Sequence, residues 1–308
     1  MNVDLNDRRV LVDKRKNLRQ LFLEGKMSNR TIVVVICLFS GLILFLPGLA
    51  FSEDTETSPF PGVRYIHRKI AKPRTLDMHI VFIDLNRPGV RFKTTKSNGK
   101  SGSETDLERT SQFVKRCKAQ IGINGGFFSR KSKERRLGVC NLTSLAISDG
   151  EVVSPWGHNQ TDAVNIGADN SVAFLKQSDD DATGYMTEPK LKLYNAIAGN
   201  VRLIRDGKIL AKGGDPTYPQ TAIGHTADHR LVLFVSDGRQ PKFSAGMTYE
   251  ELANILNGLG VVDAIAFDGG GSATMVMAGS DGEPKVLNRP SDGSERHVGN
   301  NLAVIINR

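Results

Sequence analysis

The sequence has little of the chemistry from which metal centres and redox sites are built. Its 308 residues include three cysteines, six histidines and one tryptophan. No cysteine or histidine pair has the spacing of a metal-binding motif. The chain also contains no internal repeat and no basic stripe interleaved with aromatic residues. We therefore expect no bound metal, no cofactor and no nucleic-acid partner.

Positive charge is scarce outside the N-terminal region. The formal net charge is +8, but eight of the 41 basic and four of the 33 acidic side chains lie in residues 1–50. The rest of the chain keeps a net charge of +4, which is too weak an excess to indicate a polyanionic partner. The hydrophobic fraction of 39% and the charged fraction of 24% are ordinary for a globular protein.

An uncharged run near the N-terminus predicts export. Residues 31–51 carry no charge and are numerous enough to cross a bilayer. Basic residues precede the run and acidic residues follow it, which indicates that the chain after it leaves the cytoplasm. The sequence Gly-Leu-Ala at 48–50 has the form of a cleavage site, and Met27 is well placed as an alternative start. We favour a cleaved signal peptide; the alternative is a signal anchor with a cytoplasmic tail.

Both readings place the folded part outside the cytoplasm. The protein is expected in the periplasm or outside the cell, or else anchored in the membrane by its N-terminal segment. From residue 63 onward no second polar linker interrupts the chain, so we expect one folded domain. The predicted divisions are a basic N-terminal extension at 1–30, the signal peptide or anchor at 31–50, a linker and the start of the domain at 51–75, and the catalytic domain at 76–308.

The exported part contains two cysteines, Cys117 and Cys140. An oxidising compartment permits disulfides, and this pair would close a loop around the turn at 124–128. We predict that the two cysteines form a disulfide.

Hydrophobic periodicity predicts a mixed α/β fold. A helix over 248–259 begins with a capping-box pattern and lies between predicted strands over 231–236 and 262–267. Such strand–helix–strand units usually join parallel strands. The expected fold class is α/β (α+β), a single domain with a mixed β-sheet and flanking helices. The other predicted elements are strands over 78–85 and 121–123 and a helix over 103–118.

Polar residues followed by glycines come after three of the predicted strands. Asp237 precedes Gly238, Asp268 precedes three glycines, and Asn124 precedes two. If these strands run in the same direction, their ends meet at one edge of the sheet, where open sheets bind ligands. Glycines let backbone amides approach an anion closely. A carboxylate beside such a turn suits the hydrolysis of a substrate that carries phosphate.

Five motifs in order carry a resemblance to a known family. They are NGGFF at 124–128, QTAIG at 220–224, FVSDG at 234–238, AFDGGGSATMV at 266–276 and NRPSDGSERHVGNNLAVI at 288–305. Together they resemble the phosphodiester glycosidase family over about residues 78–308. The resemblance implies a mixed α/β sheet domain that cleaves the glycosidic bond of a sugar-1-phosphodiester. Bacterial members suggest a role in envelope or exopolysaccharide metabolism.

Glycoside cleavage generally uses two carboxyl groups. We assign Asp268 as the leading catalytic carboxylate and Asp237 as its partner, with Asp292 and Glu295 in reserve. The phosphodiester charge requires donors from arginines or backbone amides. The predicted substrate-binding residues are Asn124, Gly125, Gly126, Thr221, Gly269, Gly270, Gly271, Ser272, Arg289 and Arg296.

The chain departs from the family pattern at Gln220, where the family usually has arginine. If that arginine holds the substrate phosphate, then Arg239, Arg289 or Arg296 must replace it here. The departure keeps open a second function, that of a non-catalytic glycan-binding protein of a polysaccharide system. A third, a serine hydrolase using Ser272 with His297 or His225, is disfavoured because GGGSA lacks the nucleophile elbow.

We expect the mature chain to begin near Phe51, because a cleavage-type sequence ends the uncharged run. N-terminal sequencing of the exported protein measures this directly. A chain in the membrane fraction that still begins at Met1 or Met27 would instead establish the anchor.

Overall fold

The computed structural model describes residues 52–100, 102–130, 138–179, 186–214 and 216–307. These residues belong to one compact unit, Ala50–Arg308. The predicted extension and leader at 1–50 lie outside the described residues. Within those ranges, no helix is long and apolar enough to cross a membrane.

In these described ranges strands dominate the fold, and two α-helices accompany them. We number both kinds of element in chain order. The helices are α1 (Thr110–Cys117) and α2 (Tyr249–Gly258), and a 3-10 turn covers Gly270–Ser272. The strands are β1 (Ser52–Thr57), β2 (Val63–Ile70), β3 (Leu76–Asp84), β4 (Val90–Thr94), β5 (Thr105–Asp106), β6 (Glu108–Arg109), β7 (Ile121–Asn124), β8 (Phe128–Arg130), β9 (Val139–Leu142), β10 (Ala146–Ser148), β11 (Glu151–Ser154), β12 (Asp162–Ile166), β13 (Val172–Gln177), β14 (Thr187–Glu188), β15 (Asn195–Gly199), β16 (Val201–Arg205), β17 (Lys208–Ile209), β18 (Gln220–Thr226), β19 (Arg230–Ser236), β20 (Val261–Ala266), β21 (Met275–Ala278), β22 (Pro284–Val286), β23 (His297–Val298) and β24 (Asn301–Ile306).

The largest sheet has eight strands in the order β1-β2-β3-β19-β18-β20-β16-β17. A five-stranded sheet, β22-β21-β7-β24-β4, packs against it, and a six-stranded sheet has the order β11-β10-β15-β12-β13-β14. Two small sheets, β5-β9-β8 and β23-β6, complete the described strands.

Strand β3 explains why the large sheet is covered on both faces. Successive side chains of a strand point to opposite faces, and β3 is apolar at six of its nine positions and buried at eight. Met78 and Ile80 pack with helix α2, whereas Val81 and Ile83 join the core shared with the five-stranded sheet. Full burial of each such side chain contributes about 1.5–3 kcal/mol. The sheet is therefore held between two hydrophobic cores.

The predicted helix over 248–259 is confirmed as α2. The Thr248 hydroxyl accepts a hydrogen bond from the Glu251 amide at 3.2 Å, and the Glu251 carboxylate accepts one from the Thr248 amide at 2.9 Å. The helix predicted over 103–118 is shorter than expected. It begins at Thr110, because Thr105–Asp106 and Glu108–Arg109 pair with other strands.

The predicted strand–helix–strand unit is present, but its two strands are not neighbours in the sheet. Strands β19 and β20 run in the same direction, but β18 lies between them and pairs antiparallel with both. Each registered strand pair in the described ranges is antiparallel. In the described residues the fold is thus a mainly antiparallel β structure with two helices, in which β19, α2 and β20 form a parallel crossover around β18. A strand inserted between two others leaves no local pattern in the sequence.

The predicted linker is also wrong over part of its length. Residues of β1 and β2 form the edge of the large sheet. Strand β1 is polar, so its sequence does not show the hydrophobic alternation of a strand. Its pairing is supported instead by charge, since Arg68 donates to both Asp54 carboxylate oxygens.

The predicted disulfide does not form in the structure. Cys117 ends helix α1, whereas Cys140 lies in β9, opposite Thr105, and no disulfide joins the two. The Cys140 sulfur is buried, 3.1 Å from the Thr105 hydroxyl. Both cysteines lie near the turn at 124–128 in the sequence, but the fold does not bring their sulfur atoms together.

Candidate functional site

The two predicted catalytic carboxylates lie at the same end of the large sheet. Asp237 follows β19 and Asp268 follows β20, and between them β18 begins at Gln220, opposite Ser236. Two strand spacings separate the backbones of β19 and β20, roughly 10 Å. The expected convergence therefore occurs, although it arises from antiparallel pairing around a central strand.

Asn124 joins the end of β7 to this edge. Its side-chain nitrogen donates to the Asp268 carbonyl at 2.6 Å, and its oxygen accepts from the Thr221 hydroxyl at 2.8 Å and the Thr274 amide at 3.1 Å. Asn124 and Thr221 are fully buried. The structure therefore engages both side chains in holding the loops together, a role different from the substrate contacts predicted for them.

Gly125 and Gly126 pack so closely against neighbouring segments that little room remains for a side chain. A Cβ on Gly125 would lie 3.0 Å from the Asn300 side chain, and one on Gly126 would lie 2.5 Å from the Ala198 carbonyl oxygen. The Gly125 amide donates to the Asn300 carbonyl at 2.8 Å. That amide is occupied within the protein, and the predicted substrate contact stays a prediction.

The triple-glycine turn after Asp268 is pressed between two loops. Gly270 has φ of +57° and donates its amide to the Pro219 carbonyl at 2.9 Å. A Cβ on Gly269 would lie 2.5 Å from the Pro219 oxygen, and one on Gly271 would lie 2.0 Å from Arg296 Nη2. Side chains at these positions would collide with the surrounding loops, so the turn brings bare backbone next to Arg296.

Asp237 is a buried carboxyl group that holds the loop at 288–289. Its Oδ1 accepts from the Arg289 amide at 2.8 Å and from Asn288 Nδ2 at 3.2 Å. Its Oδ2 is buried without a hydrogen-bond partner. Burial, with a smaller contribution from the Asp77 charge, raises the pKa of Asp237 to about 7, although the hydrogen bonds from Asn288 and the Arg289 amide act in the opposite direction. The carboxyl therefore retains its proton well above the range of an ordinary aspartate.

Arg239 and Arg296 lie beside the turn, and Arg289 lies on the loop that Asp237 holds; the three differ in their partners. Arg296 donates from Nε and Nη2 to Asp292 Oδ2 at 2.8 and 2.6 Å. Arg239 instead lies over the Tyr218 ring at 5.2 Å, and Arg289 over the Phe243 ring at 5.3 Å. Neither of these two guanidinium groups forms an ion pair with a carboxylate in the described part of the chain. They are the cations of the site that remain available to an anion.

Arg239 also lies directly beside the triple-glycine turn. A Cβ on Gly270 would be 3.1 Å from Arg239 Nη2. Arg239 has φ of +59°, which is uncommon for a residue other than glycine. This left-handed conformation turns the backbone after β19. Gln220 donates from Nε2 to the Met247 carbonyl at 3.0 Å, and its Oε1 would lie 3.5 Å from a Cβ on Gly269. Arg239 is therefore the arginine next to the turn that lacks an acidic partner.

The reserve carboxylates have structural partners. Asp292 pairs with Arg296. Glu295 accepts from the Ser111 amide at 2.7 Å and from its hydroxyl at 2.5 Å, at the beginning of helix α1. Anions stabilise helix N-termini, so Glu295 serves to cap α1.

The geometry does not support the serine hydrolase alternative. Ser272 is fully buried, and its hydroxyl accepts a hydrogen bond from Arg296 Nη1 at 3.2 Å. A guanidinium cannot act as the general base that a serine nucleophile requires. His225 lies near the opposite end of β18, five residues from Gln220 or roughly 17 Å along the strand.

Asn288 is a site residue that the sequence reasoning missed. It donates to Asp237 Oδ1 and to the Ala273 carbonyl, and accepts from the Met275 amide at 2.9 Å. It therefore connects the carboxyl after β19 to the chain leaving the glycine turn. In the sequence, only its position as the first residue of the NRPSDG motif indicated a role in the site.

Comparisons with known proteins identify the family of the chain. The family model for phosphodiester glycosidases matches residues 117–305, and the chain belongs to that family. N-acetylglucosamine-1-phosphodiester alpha-N-acetylglucosaminidase of Mus musculus is 30% identical in an alignment of length 184 that covers 52% of this chain and 32% of the mouse protein. The chain thus spans about a third of the length of that relative.

Solved structures share the fold. The zebrafish N-acetylglucosamine-1-phosphodiester alpha-N-acetylglucosaminidase catalytic domain has a TM-score of 0.61 and 24% identity, covering 84% of this chain and 90% of the zebrafish chain. A Burkholderia pseudomallei protein has a TM-score of 0.67 and 13% identity, covering 84% and 97% of the two chains. At these identities the likeness establishes the fold.

The raised pKa of Asp237 predicts how stability depends on pH. Between about pH 4 and pH 7 the unfolded chain releases this proton while the folded protein retains it, so the free energy of unfolding decreases as pH rises. Asp237→Asn keeps an acceptor oxygen but does not ionise. We expect its free energy of unfolding to decrease less than that of the wild type over this interval.

Denaturant unfolding at several pH values measures the effect. Asp206→Asn is the control, because Asp206 is exposed in a hairpin turn. Identical pH slopes for the wild type and Asp237→Asn would contradict a raised pKa.

Proposed function

We propose that this protein is a hydrolase that cleaves the glycosidic bond of a sugar phosphodiester. The observation that carries the proposal is the convergence of two aspartates, a triple-glycine turn and two unpaired arginines at one sheet edge. Membership of the phosphodiester glycosidase family supports this reaction class. The activity in the mouse relative's name, removal of N-acetylglucosamine from a phosphodiester, provides a specific form of it.

The phosphodiester carries a negative charge that the site must compensate. Arg239 and Arg289 are its candidate partners, because their guanidinium groups contact aromatic rings and leave their donors available. A guanidinium can donate two parallel hydrogen bonds to phosphate oxygens. Arg239 beside Gly270 takes the role that an arginine at position 220 would have.

The two aspartates differ in environment, as acid and base pairs do in glycosidases. Asp237 keeps its proton near neutral pH, and its unpartnered Oδ2 is the oxygen that remains to carry it. We assign it the transfer of a proton to the leaving oxygen. Asp268 is half-buried and acts as nucleophile or base. Phosphate is a good leaving group, so Asp268 has the greater effect on rate.

The location follows from the leader sequence. Export by residues 31–50 would place the enzyme in the periplasm or outside the cell, where polysaccharides joined by phosphodiesters are its candidate substrates. A role in envelope or exopolysaccharide metabolism fits that compartment. A glycan-binding protein without activity is the alternative outcome of the experiments below.

Asp268→Asn is expected to lower turnover by at least about 100-fold, because the substitution removes nucleophilic or proton-accepting chemistry while keeping the side-chain size. Release of reducing sugar from a sugar-1-phosphodiester measures turnover, and thermal melting verifies folding. Asp206→Asn should retain full activity.

Near-wild-type turnover by Asp268→Asn would assign the reaction to another carboxylate. A wild-type protein that binds the sugar phosphodiester without turning it over would establish the glycan-binding alternative.

Arg239→Gln is expected to raise KM for a phosphodiester substrate by about tenfold or more, because a charged hydrogen bond contributes about 1.5–3 kcal/mol. Arg230→Gln is the matched control, since Arg230 lies at the opposite end of β19 and pairs with Asp228. An unchanged KM would exclude Arg239 as a phosphate ligand.

A further inference from the structure

Two histidines and an aspartate meet on one face of the large sheet, on strands β2 and β3. His67 and His79 are opposite each other in the register, and Asp77 is two residues from His79 on the same face. All three precede the residues that the family model matches, 117–305. The cluster thus belongs to a part of this chain that the family assignment does not explain.

The three side chains converge closely. One potential ligand atom from each residue lies within 4.8 Å of the other two. His67 Nε2 is 2.7 Å and His79 Nε2 is 3.4 Å from Asp77 Oδ1. The two imidazole rings are stacked, with centroids 4.5 Å apart. In the described ranges this is the single group of three such side chains.

The surroundings resemble those of a metal-binding histidine. Such histidines usually bond their second ring nitrogen to another protein group, which orients the ring. His79 Nδ1 lies 2.7 Å from the Tyr65 hydroxyl, which leaves Nε2 directed toward Asp77. The contact between Nε2 and Asp77 is too long for a good hydrogen bond. A shared cation would occupy these two atoms better than a proton does.

The site has both an anionic ligand and a route from solvent. Asp77 is buried, whereas the His67 side chain is 27% exposed. The neighbouring cation, Lys69, is exposed and opposite Asp77 in the register. Its flexible ammonium can therefore remain in solvent.

We propose that His67, Asp77 and His79 bind a divalent transition-metal ion. Two imidazole nitrogens and one carboxylate match the ligand preferences of Zn²⁺ and related ions, not those of Ca²⁺ or Mg²⁺. Three protein ligands leave a fourth position for water. The proposal does not depend on the glycosidase activity.

The ion would stabilise the strand end beneath the candidate active site. The Asp77 carbonyl accepts from the Asp237 amide at 3.0 Å. Ser244 reinforces the connection, because its hydroxyl accepts from the Asp77 amide at 3.1 Å and donates to the Asp237 carbonyl at 2.7 Å. Ordering Asp77 therefore also orders the backbone of Asp237.

The experiment uses the full chain, stripped of metal and titrated with Zn²⁺, with Co²⁺ as a spectroscopic probe. We expect one equivalent of Zn²⁺ to bind and to raise the melting temperature, because a ligand of the folded state stabilises it. Co²⁺ should give the intense visible absorption of a four-coordinate site.

His67→Gln keeps a donor toward Asp77 but removes the imidazole, and its partial exposure favours folding. We expect it to weaken Zn²⁺ binding by at least about 10-fold and to abolish the Co²⁺ signal. His225→Gln, on the same sheet but outside the cluster, should bind Zn²⁺ as the wild type does. Tyr65→Phe should weaken binding by a smaller factor.

Two outcomes would overturn the proposal. The first is a wild-type chain that binds no more Zn²⁺ than a protein without a specific zinc site does. The second is a folded His67→Gln variant with unchanged affinity. Either would leave the cluster as a hydrogen-bonded network.

Discussion

The candidate site depends on the buried amide of Asn124. Two segments distant in sequence meet at this side chain: the glycine-rich loop, through the Asp268 carbonyl and the Thr274 amide, and β18, through the Thr221 hydroxyl. A buried polar group that loses its partners costs about 1–3 kcal/mol, so the amide and the loops require each other. This connection joins the five-stranded sheet to the glycine turn of the eight-stranded sheet. It therefore determines where Asp268 lies relative to the rest of the edge.

A second constraint is the burial of Asp237. The carboxyl is held at one oxygen by Asn288 and the Arg289 amide and lacks a partner at the other. Desolvation favours the neutral form, so the carboxyl keeps its proton up to a pH of about 7. Unsatisfied buried groups are rare in native proteins and are often associated with function. The hydrogen bonds of Asp237 also hold the loop at 288–289, which carries Arg289. The Arg289 guanidinium is available to an anion.

Much of this architecture could be read from local patterns. The capping box at Thr248 and the apolar runs of β3, β7, β19 and β20 are signals contained in a few adjacent residues, and the structure confirms them. Strand β1 escaped prediction because its polar side chains pair with those of β2 instead of entering a core. The cluster of His67, Asp77 and His79 was not predicted, because these residues come together only when β2 and β3 pair in register.

The sequence by itself determined the family, the position of most long elements and which glycine turns carry polar residues. These properties depend on periodicity and on ordered motifs, which are local along the chain. Only the tertiary structure decided that β18 separates β19 from β20, that Cys117 and Cys140 do not form a disulfide, and that Asn124 faces inward. It also decided which arginine beside Gly270 lacks an acidic partner. The physical reason is that pairing, burial and charge compensation are set by neighbours in space, which the order of residues does not specify.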